Sequence, residues 1–153
     1  MKDLIIRSAT IEDLPILLSF EQGIISTERA FDKYLKEDPI SYYDIKEMIL
    51  SPDSEVAVAD FKGKVIASGF AQIKESLTYK THNRYSSLRF MYVDSQFRGL
   101  GVNKSITDYL TSWSKGRNIN HAILHVYSEN SKAIKAYEKA GFKQSRIEMC
   151  LEF

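Results

Sequence analysis

The spacing of apolar positions along the chain switches repeatedly between two and three-to-four, the signature of strands interleaved with helices. Leu4 to Arg7 reads as a short strand. Thr10 then opens a helix, with Asp13 at the capping-box position and Leu14, Leu17, Leu18 and Phe20 as its apolar stripe. From Gln22 to Leu50 the chain is polar and predicted to be helical in two pieces, broken at Asp38-Pro39. Glu55 to Phe61 alternates, Lys62-Gly63-Lys64 turns, and Val65 to Ile73 runs as a longer strand, which predicts a hairpin. After a polar connection, Leu88 to Val93 is a further strand candidate.

In the C-terminal half, Val102, Ile106, Tyr109, Leu110 and Trp113 recur at helical spacing, and Gly116 is placed to end that helix. Ala122 to Tyr127 predicts a strand. Ser131 to Ala140 predicts a helix with Ala133, Ile134, Ala136, Tyr137 and Ala140 on one side, stopped by Gly141. Glu148 to Phe153 reads as a last strand. The order β-α-α-β-β-β-α-β-α-β is that of a mixed α/β (α+β) sheet covered by helices, expected as one domain over residues 1–153.

Composition adds three constraints. A 44% hydrophobic and 27% charged content is that of a folded globular domain. The single cysteine, Cys150, excludes an internal disulfide and an all-cysteine metal site, and points to a reducing, cytoplasmic setting. Set between Met149 and Leu151, it is expected to be a buried thiol. No stretch has the length of a membrane span, and the N-terminal MKDLIIRSATIED carries acids inside its apolar run, unlike a secretory leader.

The charge total, 21 Lys+Arg against 20 Asp+Glu, argues against a nucleic-acid or membrane partner, but it hides an uneven distribution. Residues 96–146 hold nine bases and three acids, 9 − 3 = +6, so the remainder carries 1 − 6 = −5. Within that remainder, residues 21–47 hold seven acids and four bases. The basic part suits a polyphosphate cofactor, whereas the acidic part suits a cationic amine or, equally, a solvated helix face.

The candidate chemistry begins at Asp94-Ser95-Gln96-Phe97-Arg98-Gly99-Leu100-Gly101, between a strand end and a helix start. Two glycines there let the backbone turn sharply and aim unpaired N–H groups and the positive helix end at one spot, a site for phosphate. The P-loop spacing fails because Asn103 precedes Lys104-Ser105, and the dinucleotide fingerprint fails because Lys104 stands where a third glycine is needed. No His, Cys or Asp cluster has metal-ligand spacing, so no metal is expected.

Gln96-x-x-Gly99-x-Gly101, with Met91-Tyr92-Val93 before it and Leu124-x-Val126-x-x-x-Asn130-x-x-Ala133-x-x-x-Tyr137-x-x-x-Gly141-Phe142 after it, resembles the GNAT superfamily of N-acetyltransferases. The resemblance implies a central sheet of six to seven strands flanked by about four helices, and acetyl-CoA as cosubstrate. It implies that amides of Arg98, Gly99, Leu100, Gly101, Val102 and Asn103 hold the CoA pyrophosphate. Backbone at Met91, Tyr92 and Val93 would pair with the pantetheine arm and polarise the thioester carbonyl. Asn130 would contact the pantetheine end, and is also placed to cap the following helix. Tyr137 would protonate the departing thiolate, or else serve as a core tyrosine on the helix's apolar face.

The implied reaction is acetyl transfer to a primary amine of a small molecule, peptide or protein, by direct attack with both substrates bound. One departure stands out. Many relatives place a glutamate on the strand before the loop to deprotonate the amine, but residues 85–93, YSSLRFMYV, contain no carboxylate. Glu21, Glu28, Glu75, His82 and His125 remain as unranked candidates, with His125 read as structural and His82 as solvated. The missing carboxylate also leaves open a non-catalytic acyl-CoA-binding sensor of the same fold. Met149, Leu151 and Phe153 offer an apolar edge that a second copy could pair with, so a homodimer is possible.

Overall fold

The structure is a computed structural model that describes all 153 residues. Five strands, β1 (Leu4–Ser8), β2 (Ser54–Phe61), β3 (Lys64–Glu75), β4 (Arg84–Val93) and β5 (Ala122–Ile123), form one sheet in chain order. The first three pairings are antiparallel and the last, β4 to β5, is parallel. Four helices cover it: α1 (Leu14–Glu28), α2 (Ile45–Leu50), α3 (Val102–Lys115) and α4 (Ser131–Lys139). The mixed α/β class is as expected, but the sheet has five strands rather than six to seven. No helix is long and apolar enough to cross a membrane.

Each face of the sheet has its own core. Val102, Ile106 and Leu110 of α3 pack on Ala57, Ala59, Ala67, Ala71 and Leu88. The small residues of β2 and β3 let the helix lie close, and each fully buried aliphatic side chain contributes about 1.5–3 kcal/mol of transfer free energy. On the other face Leu17 and Phe20 of α1 and Ile45 of α2 pack on Val56, Val58, Phe70 and Phe90. Leu18, expected in this stripe, is 45% exposed instead.

The start of α1 is preceded by a 3-10 turn, Ile11–Asp13, in which the Asp13 carboxylate accepts from the Thr10 amide at 2.8 Å. The same carboxylate receives both arms of Arg7 from β1, at 2.7 and 3.0 Å. Arg7's bonds hold Asp13 below the usual carboxylate range, against the opposing effect of burial.

Three expected elements differ. The polar stretch 22–50 is helical only to Glu28 and again from Ile45, with the Asp38-Pro39 break inside the intervening loop. The strand expected over Ala122 to Tyr127 stops at Ile123, and the strand expected over Glu148 to Phe153 does not form. The reason is a missing partner: β4 pairs with β5 only at Ser86 and Ser87 and then moves away, so Leu124 to Tyr127 have no ladder to extend. The C-terminal alternation remains unpaired, with Ile147, Met149 and Leu151 more than four-fifths exposed. Cys150, expected to be buried, is exposed with it.

Candidate active site

The geometry of the site begins with an extra residue in β4. Phe70 pairs with Arg89 and Ser68 with Tyr92, so two residues on β3 are matched by three on β4. At this bulge Phe90 has φ 54°, a left-handed conformation that costs a non-glycine residue about 1–3 kcal/mol. Its carbonyl accepts from Ser68 Oγ at 3.1 Å, and its buried ring packs 5.4 Å from Tyr43. The bulge reverses the alternation: Leu88 faces α3, Phe90 and Tyr92 face α1, and Met91 and Val93 face α3 again. Beyond Ser87 the β5-facing edge of β4 has no strand beside it, so an opening lies between the two parallel strands.

At the end of β4 the chain makes a 3-10 turn, Ser95–Phe97, capped by Asp94, which accepts from the Gln96 amide at 3.1 Å. Gly99 and Gly101 follow at φ 79° and 84°, a region that favours glycine because it has no Cβ. Gly101 is the N-cap of α3 and brings no side chain to satisfy the first-turn donors. The first helical bond there is Ser105 N–H to Gly101 O, 3.1 Å, so the amides of Val102, Asn103 and Lys104 have no intrahelical acceptor. The structure thus brings Arg98, Gly99, Leu100, Gly101, Val102 and Asn103 together as one turn at the positive end of α3. Arg98 Nε donates to the Val93 carbonyl at 3.0 Å, which ties the loop to the strand end.

The opposite wall is α1 and the segment after it. Phe20 stacks on Tyr92 at 4.5 Å, and a Cβ on Gly23 would fall 2.6 Å from the Tyr92 ring. That glycine lets α1 approach β4, and the Tyr92 side chain is used in packing. Glu21 is 1% exposed, and its Oε1 accepts from the amides of both Tyr42 and Tyr43 at 2.8 Å and from the Ser41 hydroxyl at 3.1 Å. It is a structural carboxylate, satisfied by the loop it holds.

Glu28, at the last residue of α1, is different. Burial raises its carboxyl above the usual range, Asp32 raises it further, and Tyr42 opposes the shift. Its negative charge in turn helps to raise the hydroxyls of Tyr42, Tyr43, Tyr127 and Tyr137, on which burial is the largest influence. One carboxylate therefore lies among four phenols drawn from the 41–43 segment, the turn after β5, and α4. Asp32 accepts from the Tyr127 hydroxyl at 2.8 Å, and Phe31 stacks on Tyr127 at 6.1 Å.

Tyr137 is half-buried, its ring edge-on to Phe142 at 6.0 Å. Its hydroxyl makes no hydrogen bond within the chain and is pushed up to about 12, by burial first and then by the charges of Glu28 and Tyr43. Its ring neighbour Phe142 belongs to the α3-side core, whereas the charges that act on its hydroxyl, Glu28 and Tyr43, come from α1 and the loop after it. Asn130 Oδ1 accepts from Ala133 N–H at 3.2 Å, so this residue does cap α4.

The other base candidates lie elsewhere or are occupied. His82 stacks on His121 at 4.2 Å and bonds Ser76 at 2.7 Å, next to the N-terminal ends of β4 and β5, rather than being merely solvated. Glu75 is exposed at the end of β3, and His125 is exposed without a partner, not a satisfied structural histidine. No group of three His, Cys, Asp or Glu side chains is arranged to hold a metal ion. Tyr42, Tyr43 and Tyr127 carry no signal in the sequence, and Asp32 entered only as one of the seven acids of 21–47, an excess that does not show which acids turn inward.

This fold and site define an acyl-CoA-type transferase scaffold: a parallel pair that splays, and a glycine turn at its mouth. The profile of the Acetyltransferase (GNAT) family matches residues 23–142, most of the chain, and the chain belongs to that family. An uncharacterised N-acetyltransferase of Methanocaldococcus jannaschii is 25% identical over 96% of this chain, and the chain spans 64% of that protein's length. The BH1408 protein of Bacillus halodurans, in tetramutant form, superposes with a TM-score of 0.84 at 19% identity, covering 97% of this chain and 99% of its own. A predicted acetyltransferase of Clostridium acetobutylicum, solved with acetyl-CoA, superposes with a TM-score of 0.75 at 21% identity, over 97% and 96%.

Proposed function

We propose that the protein transfers an acetyl group from acetyl-CoA to a primary amine, by direct attack with both substrates bound. The observation that supports this most is the splayed β4–β5 pair, followed by a glycine turn with unsatisfied α3 amides and accompanied by a Tyr137 hydroxyl on α4 that has no partner within the chain. The loop amides of residues 98–103 would take the pyrophosphate, and the backbone of Met91, Tyr92 and Val93 the pantetheine amides, by strand-like pairing. Asn130 keeps a side-chain NH2 for the same arm while its oxygen caps α4.

The elevated hydroxyl supports one role for Tyr137 over another. A free thiol titrates near 8.5, well below this phenol, so full proton transfer to a thiolate is uphill. Tyr137 is therefore neutral throughout the physiological range and acts as a hydrogen-bond donor to sulfur as the C–S bond breaks. Protonation is completed with a proton released by the nitrogen. The acidic wall formed by α1 and its following loop supports a cationic acceptor over an anionic one.

Acetyl-CoA turnover with a panel of spermidine, glucosamine and peptide amines tests the reading. Wild type should release thiol and acetylated amine in equal amounts, and Tyr137→Phe should lower kcat about 10- to 100-fold with little change in KM for acetyl-CoA. Calorimetric binding of acetyl-CoA without turnover of any amine would instead support the sensor alternative.

A further inference from the structure

We infer that Glu28 is the catalytic base that takes the proton from the acceptor ammonium, in place of the carboxylate that β4 lacks. The inference rests on the acetyl-transfer reading above and adds the residue that makes the nucleophile. The carboxylates nearest to it in the acidic stretch are committed: Glu21 to two backbone amides and a serine hydroxyl, Asp32 to the Tyr127 hydroxyl and the Tyr34 amide. Glu28 is not so committed: its one polar neighbour of this kind is the Tyr42 hydroxyl, without good hydrogen-bond geometry, and its charge acts on the hydroxyl of Tyr137, the candidate donor to the leaving group.

A second observation points to an absent ligand at the same place. The Tyr42 hydroxyl is enclosed by protein and lies beside the Glu28 carboxylate, yet forms no hydrogen bond of good geometry with it or with any other group, an arrangement that native structures seldom leave unfilled. Glu28 is the carboxylate that acts on it. An amine nitrogen bound against this Glu28–Tyr42 pair would give both groups a well-formed hydrogen bond.

The groups facing Glu28 are Asp32 in the turn that follows it, Tyr42 and Tyr43, Tyr127 after β5, and Tyr137 on α4. The neighbouring cation Arg29 is turned to Asp38 at 2.6 Å and the Lys36 carbonyl at 2.8 Å, while Arg89 acts on Tyr43. Partial burial and the Asp32 charge make Glu28 more basic than an ordinary carboxylate, which narrows its gap to an ammonium.

The protons and electrons balance as follows. The ammonium loses one proton to the Glu28 carboxylate, which passes it to solvent. The freed nitrogen pair forms the C–N bond at the thioester carbonyl carbon, and the C–S bonding pair leaves on sulfur. The second nitrogen proton ends on that sulfur, whose developing charge the Tyr137 hydroxyl stabilises as a hydrogen-bond donor without itself being ionised. The products are the acetamide, free CoA thiol and one proton to solvent.

The test compares wild type, Glu28→Gln and Glu28→Asp with the best amine of the panel named above. Glu28→Gln should lower kcat/KM for the amine about 100- to 10,000-fold at pH 7 and leave acetyl-CoA affinity and Tm at or above wild type. Its rate should then recover about tenfold per pH unit on the alkaline side, as free amine replaces ammonium, and Glu28→Asp should fall between the two. Wild-type turnover with unchanged Glu28→Gln kinetics and pH profile would overturn the base while leaving acetyl transfer standing. Absence of wild-type turnover would overturn both.

Discussion

The two sides of the opening are built by different means. On the basic side, the phosphate-type cradle is backbone: Gly99 and Gly101 at positive φ, and an α3 N-terminus with no side-chain cap. On the acidic side, the groups gathered around Glu28 are side chains from the α1 terminus, the loop after it, β5's continuation and α4. A backbone site needs particular residues at particular spacing, so it leaves a motif. A side-chain site assembled from four segments leaves none.

Perturbing the two sides should therefore give separable effects. The largest is expected from Glu28→Gln, a loss of about 100- to 10,000-fold in the amine's kcat/KM with acetyl-CoA affinity retained, read by steady-state kinetics and calorimetry. Next is Tyr137→Phe, which acts at the junction of the two sides and should appear in kcat. Gly101→Ala should raise KM for acetyl-CoA about tenfold, because a Cβ at φ 84° costs about 1–2 kcal/mol of backbone strain and tilts the α3 amides. Its kcat at saturating acetyl-CoA should change least of the three. If Gly101→Ala impaired the amine's KM as strongly as acetyl-CoA's, the division into two independent sides would fail.

The smallest effect separates stability from function. Asp13's folded pKa lies below its unfolded value, so its contribution is present above the unfolded pKa, near 4, and is lost as pH falls through the folded one. Asp13→Asn should remove that acid-side dependence from chemical denaturation curves. Glu28 has the opposite sign. Its folded pKa is raised, so the folded state binds the proton more readily and stability falls as pH rises from the unfolded value through the folded one. Glu28→Gln should flatten this decline at no cost in stability at neutral pH, an outcome typical of a residue retained for function.

Much of the fold was legible because its helices and the β2–β3 hairpin carry strong periodicity. The glycine turn, the α4 cap at Asn130 and the stop at Gly141 were readable for the same local reason. What was not legible depends on partners. Leu124 to Tyr127 and Glu148 to Phe153 alternate like strands, but a strand exists only where another backbone lies beside it, and β4 has turned away. The bulge at Phe90 hides in YSSLRFMYV because its inserted residue shifts the alternation by one. The base candidates could not be ranked from sequence because Glu21 and Glu28 differ only in what folds over them: two loop amides for one, an unpartnered phenol for the other.

In the proposed reaction the opening between β4 and β5 carries out chemistry as well as binding. Single-turnover mixing of enzyme-bound acetyl-CoA with an excess of amine tests it most directly, following free thiol and acetylated amine together. Both should appear at one rate and in equal amounts, slowed in Glu28→Gln and Tyr137→Phe. Tight acetyl-CoA binding with no thiol released across the amine panel would contradict it.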